Sequence, residues 1–330
     1  MLIAFDYKTS RWFWRIVYPV TRVPKKAAPT PPLDWFSCNM SSVRKLAPSW
    51  ATPEFLSLEG EKLHVLAFDR NDRRSSKVHE ARAWPHRIPD GSFFDLGTGA
   101  YVASPEFCFL LTAATHSLAE TIAYGDELCG IYSFDPFKKR GMNQRLALTS
   151  MRKIEKYVAG AQGLPGYRQA KRAIPHLVSH SASPMETTCE MLACLPYRLG
   201  GYYLIEPELN HPIKLTKAAA RIAQKSTCYA DLCWPDYDMV IEYQGKYDHT
   251  EDGAYDQDRA RVNAFKEMGL DVLEITNEQV ENLSVFEQLV MHIARKTGKV
   301  LDESKLGPTP QRATLRKELI AWKRNYGRRA

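Results

Sequence analysis

The sequence predicts an α/β (α+β) chain in which helices and strands mix around more than one core, and three observations lead there. Its 330 residues, 44% hydrophobic and 25% charged, are too many for one ordinary core and suit two domains. From Ser183 onward, period-two apolar runs alternate with helical runs in the order α-β-β-β-β-α-β-α. Helix-start signals then punctuate the chain, as at Ser104-Pro105-Glu106 and Ser183-Pro184-Met185-Glu186, where a capping serine precedes a first-turn proline.

Taken in order, residues 1–60 combine Trp12, Phe13, Trp14, Trp35 and Phe36 with prolines and basic side chains, and read as a loosely ordered arm. Residues 61–180 read as a smaller mixed domain, with strands at 63–68 and 100–103, a helix from 105 to about 122, a second at 151–159 and a turn-rich break at 161–167. Residues 181–300 form the main domain. Its helix at 184–195 leads to strands at 202–205, 211–215, 229–234 and 238–244, then a helix at 255–268, a strand at 271–275 and a helix at 284–295. Residues 301–330 read as a basic C-terminal helix or tail.

Composition excludes wholesale disorder and collagen-like repeats, and no period of 20–50 residues marks a solenoid. The apolar stretch 12–20 is cut by Arg15 and Pro19, so it lacks the continuity of a signal peptide or a membrane span. Seven scattered cysteines fit reduced thiols better than a disulfide framework, and together these readings lead to the expectation of a cytoplasmic protein with no membrane partner. Charge is segregated along the chain. Residues 305–330 carry eight basic side chains against Glu318 alone, a local +7 equal to that of the whole chain. Residues 184–299 carry 19 acids against 12 bases. Basic flanks around an acidic middle suit a protein that grips a polyanion and seats metal ions between phosphate and carboxylates; solvated charged helices are the plainer reading.

The chemistry concentrates at Asp231 and Glu242, which lie in adjacent strand-like segments with ten residues between them and are set among Ala230, Leu232, Val240 and Ile241. A short reversal brings the two carboxylates together, and acids in such apolar surroundings need a partner, a raised pKa or a hard cation such as Mg2+ (or Mn2+). Alternation along the second strand puts Val240, Glu242 and Gln244 on one face, while Gly245 marks a bulge and Lys246 and His249 follow within reach. Ordinary surface acids or an internal salt bridge are the competing reading.

These residues carry a resemblance. Ser183-Pro184-Met185-Glu186, Glu208-Leu209-Asn210, Ala230-Asp231-Leu232-Cys233-Trp234-Pro235 and Ile241-Glu242-Tyr243-Gln244-Gly245-Lys246-Tyr247-Asp248-His249 stand in order, followed by Asp258, Arg261, Phe265, Gly269 and Val272-Leu273-Glu274-Ile275-Thr276. The series resembles a domain family of unassigned function related to the very-short-patch repair (Vsr) endonucleases, within the PD-(D/E)XK nuclease superfamily. The resemblance implies a restriction-endonuclease-like mixed sheet flanked by helices, a metal cluster of Glu186, Asp231 and Glu242, and His249 as the motif histidine. Where that superfamily usually has a lysine, this chain has Gln244, which can hold a water by hydrogen bonds but brings neither charge nor a proton near neutral pH. A weaker likeness links residues 61–180 to AbiE-type antitoxin-like proteins through Val78-His79, Val102-Ala103-Ser104-Pro105-Glu106 and Gly125-Asp126-Glu127-Leu128. It implies an ancestry in toxin-antitoxin biology and leaves a cognate toxin or other protein partner open.

Several residues keep two readings. Glu186 suits a capping box as well as a metal site. Asp258 and Arg261 pair with each other or with the sheet. Cys189, Cys194, Cys228 and Cys233 have the wrong spacing for a zinc knuckle and read as core thiols. In the tail, Lys317, Lys323, Arg324, Arg328 and Arg329 interleave with aromatics and either contact nucleic-acid phosphates or form a solvated end. The expected function is a metal-dependent endonuclease that hydrolyses DNA: two acids hold the metal, Gln244 positions the attacking water, and Lys246 or His249 supports the phosphate or leaving oxygen. The alternative is a non-catalytic DNA-binding or antitoxin-like regulator that keeps the nuclease fold.

Overall fold

The computed structural model describes residues 2–21, 29–58, 60–244 and 254–327. Two compact units divide the chain. Met1–Leu128, Ser133–Asp135 and Ala147–Leu177 form the first; Cys129–Tyr132, Pro136–Leu146 and Val178–Ala330 form the second. Each mixes helices with strands, so the chain is α+β. No described helix is long and apolar enough to cross a membrane.

In the first unit, strand β1 (Ile3–Ala4) runs parallel to β5 (Ala100–Ala103), which pairs antiparallel with β4 (Phe93–Asp95). Strands β2 (Leu63–Ala67) and β3 (His79–Ala83) form a parallel pair, and Phe5 bridges to Val65. Ile3, Phe5, Val43, Leu63, Val65 and Ala100 close one core. Helix α1 (Tyr7–Trp12) is capped by Asp6, and α2 (Pro105–Ala113) by Ser104, whose Oγ accepts the Phe107 N–H at 3.1 Å. The single helix expected from 105 to about 122 is broken near Ala114, and α3 (Leu118–Cys129) begins after a turn. Helices α4 (Met151–Ala159) and α5 (Tyr167–Ala173) flank the expected break.

The opening residues correct the expectation of a loose arm. Trp12, Phe13 and Trp14 are buried, and the Trp14 Nε1–H donates to the Ala103 carbonyl at 2.7 Å. Arg15, which looks like an interruption in sequence, is buried too; its Nε and Nη2 grip the two carboxylate oxygens of Glu127 at 2.7 and 2.5 Å. Its guanidinium lies over the rings of Trp12 and Phe134. A helix buried all round has no polar face, so the segment carries none of the amphipathic signal by which a docked helix is recognised.

The second unit opens with helix α6 (Pro184–Cys194). A four-stranded sheet follows, in the order β9-β8-β7-β6: β6 (Glu208–Lys214), β7 (Thr227–Trp234) and β8 (Met239–Gln244) are successively antiparallel, and β9 (Asp271–Thr276) is parallel to β8. Helices α7 (Lys217–Ala223) and α8 (Ala254–Glu267) cover one face through Leu215, Ala219, Ala230, Val240, Ala264 and Phe265. After β9 come α9 (Asn277–Glu281), α10 (Leu283–Thr297) and α11 (Pro310–Gly327).

Two details differ from the sequence reading. No strand forms at 202–205, because Tyr203 takes a left-handed backbone (φ 56°) and the Tyr203 and Leu204 amides bond the Leu195 and Ala193 carbonyls at the end of α6. The reversal needs Gly201, where an added Cβ would sit 2.0 Å from the Leu195 carbonyl oxygen. Helix α7, unread in the sequence, starts at the Thr216 cap.

The tail is also structural. Helix α11 buries Leu315, Leu319 and Trp322, and Arg312 is buried with its guanidinium 3.8 Å from the Tyr202 ring centre. Arg316 donates to the Val280 carbonyl at 2.7 Å, so much of the tail's positive charge points inward.

Candidate functional site

The hairpin of β7 and β8 brings the two strand acids together. Its turn, Pro235–Tyr237, closes through Asp238 in the left-handed conformation (φ 48°), and the ladder runs from Trp234↔Met239 to Leu232↔Ile241. One step further on stand Asp231 and Glu242. There each carboxylate takes the other strand's backbone: Glu242 Oε1 accepts the Asp231 N–H at 3.2 Å, and Asp231 Oδ2 accepts the Tyr243 N–H at 2.7 Å. On the other side of β7, the ladder to β6 skips Asn210 and Asp231, and Asn210 sits at φ 47°. Cys228, Ala230 and Cys233 of β7 all enter one core cluster.

A third acid arrives from α6. Ser183 Oγ accepts the Glu186 N–H at 3.2 Å, and Glu186 Oε2 accepts the Ala182 N–H at 2.7 Å, so the capping role holds. Glu186 is buried, and the helix packs on β7, which brings the charges of Asp231 and Glu242 to bear on it. Burial, then Asp231, raises the Glu186 carboxyl well above its ordinary range. Glu242 is 1% exposed; burial and then Asp231 push its carboxyl up to about 8, against the pull of Arg261.

Arg261, from α8, supplies the opposing charge. Its Nε and Nη2 both reach Glu242 Oε2, at 2.7 and 2.6 Å, while Nη1 lies 3.3 Å from Asp258 Oδ1. Both readings of the Asp258–Arg261 pair therefore hold: they meet each other, and the arginine also reaches the sheet. Burial disfavours the guanidinium's charge, but Glu242, Asp231 and Asp258 outweigh it and raise its pKa.

The other expected residues fall differently. Gln244 donates its Nε2–H to Glu274 Oε2 at 2.7 Å, and Lys266 holds the other Glu274 oxygen at 3.2 Å. Gly245, Lys246 and His249 lie outside the described residues. In the tail, Lys317 and Arg324 are exposed, whereas Lys323 is mostly buried, with its Nζ 3.0 Å from Met185 Sδ and 3.7 Å from Glu281. Arg328 and Arg329 lie outside the described residues. All seven cysteines are free and buried, as core thiols are.

Glu186, Asp231 and Glu242 are all hard oxygen donors, the chemistry that suits magnesium or manganese, and one of them, Glu242, is paired with the Arg261 guanidinium. Among the described residues, no group of three His, Cys, Asp and Glu side chains is arranged to hold a metal ion.

Raised carboxyl pKa values fix a stability slope. The folded chain binds protons more tightly at Glu242 than the unfolded chain, so the contribution of Glu242 to stability is fully present below the unfolded value of 4.5 and is lost as pH rises toward about 8. Urea unfolding at pH 5 and pH 8.5 is expected to show this fall, and Glu242→Gln is expected to flatten it. An unchanged slope would mean that Glu242 is ionised throughout.

No protein-family model, curated protein or solved structure matches this chain.

Proposed function

We propose that the second unit is a nuclease of the restriction-endonuclease-like type, related to the Vsr-like domains, which hydrolyses DNA phosphodiester bonds with a divalent metal. The observation that carries this reading is the Asp231 and Glu242 carboxyls side by side on β7 and β8, with the buried Glu186 of the packed helix α6 feeling their charge, which raises the Glu186 and Glu242 carboxyls. Support also comes from the strand order, three antiparallel strands with a parallel fourth, and from the broken ladder at Asp231. Glu186, Asp231 and Glu242 would hold the metal, which when bound supplies a Lewis-acidic seat for phosphate oxygen and a more acidic water. The chain's own part is to orient those acids: Ala182 fixes Glu186, and the two strand amides fix Asp231 and Glu242. The Gln244 amide N–H is engaged by Glu274. Lys317 and Arg324, exposed on α11, would meet phosphates and position DNA without reading its sequence.

The test is incubation of the full chain with supercoiled plasmid and Mg2+ or Mn2+. Asp231→Asn and Glu242→Gln keep the backbone acceptors, and each is expected to lower cutting by about 100-fold or more. Cutting that survives both substitutions rejects the reading. A second reading, a DNA-binding or antitoxin-like scaffold without catalysis, is favoured by the Arg261 and Gln244 contacts, and DNA retention without cutting would support it. In either case Lys317→Ala with Arg324→Ala is expected to reduce the salt slope of DNA binding by about two. An unchanged slope excludes the tail from the interface.

A further inference from the structure

The first unit carries a charged surface that plays no part in the acid site. Helices α4 and α5 pack side by side on α2, burying Ile154, Tyr157, Val158, Ala170 and Ala173. Their outward faces are cationic: Arg152, Lys153, Lys156, Arg168, Lys171 and Arg172 are all exposed, and from Ser150 to Leu177 the sole acid is Glu155. Among the described residues, no ion pair engages any of the six. This placement runs against local helix energetics. Both helices put cations, and no acid, in the first turn, where the helix dipole disfavours positive charge. Arg152 and Lys156 are like charges one turn apart, as are Arg168 and Arg172. Lys153, whose N–H donates to Ser150 Oγ at 3.4 Å, holds the position where a glutamate would close a capping box. Breaches of local preference without a compensating contact are characteristic of functional surfaces.

A hollow of about 600 Å³ opens beside the cations, between the end of α2 and the loop joining α4 to α5, with Gln162, Tyr167 and Arg168 in its wall. The loop is fixed from several sides. Arg87 Nη2 donates to the Gly160 and Gln162 carbonyls at 2.7 and 3.1 Å, and Gln169 Nε2 ties α5 to the Ala113 carbonyl at 2.9 Å. Gly166 approaches α2 so closely that a Cβ there would collide with the Leu110 carbonyl oxygen. The surface is thus formed before any partner arrives, and binding need not order it.

We propose that α4, α5 and their loop bind single-stranded nucleic acid, the cations meeting phosphates and the hollow taking one unstacked base against Tyr167. The surface is rich in charge and poor in apolar side chains: between residues 150 and 177, Met151 is the one exposed large hydrophobic. That suits a phosphate backbone, whereas a protein hot spot or a membrane-seated helix needs apolar anchors. The hollow has the volume of a small-ligand site, and a single strand, unlike a duplex, offers bases free to enter it. Nothing in this depends on the nuclease reading, since it concerns the first unit and needs no metal.

The test is fluorescence anisotropy of the full chain with labelled mixed-sequence DNA and RNA oligonucleotides, in EDTA so that no metal-dependent step contributes. The triple variant Arg168→Ala, Lys171→Ala, Arg172→Ala is expected to bind about tenfold more weakly or worse, with its salt slope reduced by about two. Tyr167→Leu is expected to weaken binding about tenfold with the salt slope unchanged, the signature of lost stacking rather than lost charge. Lys153→Glu should weaken binding and yet raise the urea midpoint of the first unit, because it closes the capping box. Binding of neither oligonucleotide, or unchanged affinity and slope in the triple variant, overturns the proposal. So does duplex DNA binding as tightly as the single strand, or displacement of the strand by polyglutamate or phosphatidylserine vesicles as readily as by unlabelled strand.

Discussion

Replacing Arg15 by leucine is expected to destabilise the first unit by about 3–5 kcal/mol, because it removes the Arg15 charge that pairs with the buried carboxylate of Glu127. Both side chains are 2% exposed or less, so water cannot take over the lost hydrogen bonds. The single substitution should lower the urea midpoint of the first unit strongly. The double variant Arg15→Leu with Glu127→Leu should recover a large part of the loss, since removing both charges also removes their desolvation cost. If the double variant is no more stable than the single one, the aromatic rings around the guanidinium, rather than the ion pair, hold this part of the core.

Trp322→Ala is expected to cost about 3–5 kcal/mol in the second unit, whereas Arg324→Ala, two positions along the same helix, should stay within about 0.5 kcal/mol. Trp322 is 1% exposed and Arg324 is exposed. The contrast separates the two roles that the tail's interleaved aromatics and cations left open. A tail that mainly contacts nucleic acid would lose DNA affinity in both variants and stability in neither. Chemical denaturation of both proteins decides the matter.

Legibility in the sequence followed the range of the interactions involved. Caps and short-period patterns are local, so the helix at Met151–Ala159, the start of α6 at Ser183 and the hairpin of β7 and β8 could be read directly. The pairing of Asp231 with Glu242 followed from the hairpin. Arginine reach also followed in part, because Asp258 and Arg261 are neighbours on any helix. What could not be read depends on distant partners. Arg15 meets Glu127 across 112 residues of sequence, which turns an apparent interruption into part of a core. Gln244 meets Glu274, thirty residues away across a parallel pair, so its place in a motif did not disclose where its amide would be engaged. The stretch at 202–205 had the apolar content of a strand, but its amides were claimed by the end of α6. Helix α7 did leave a local signal, Thr216 followed by an alanine-rich run, and it was legible in principle.

The reciprocal grip at the end of the β7–β8 ladder turns two main-chain protons into native reporters of the acids. The Tyr243 amide is screened by Asp231, and the Asp231 amide by Glu242. Any event that draws a carboxyl away, whether a bound ion, a proton or a mutation, uncovers its amide to deuterium. The difference in exchange rate between these neighbouring amides then identifies which of the two acids has moved.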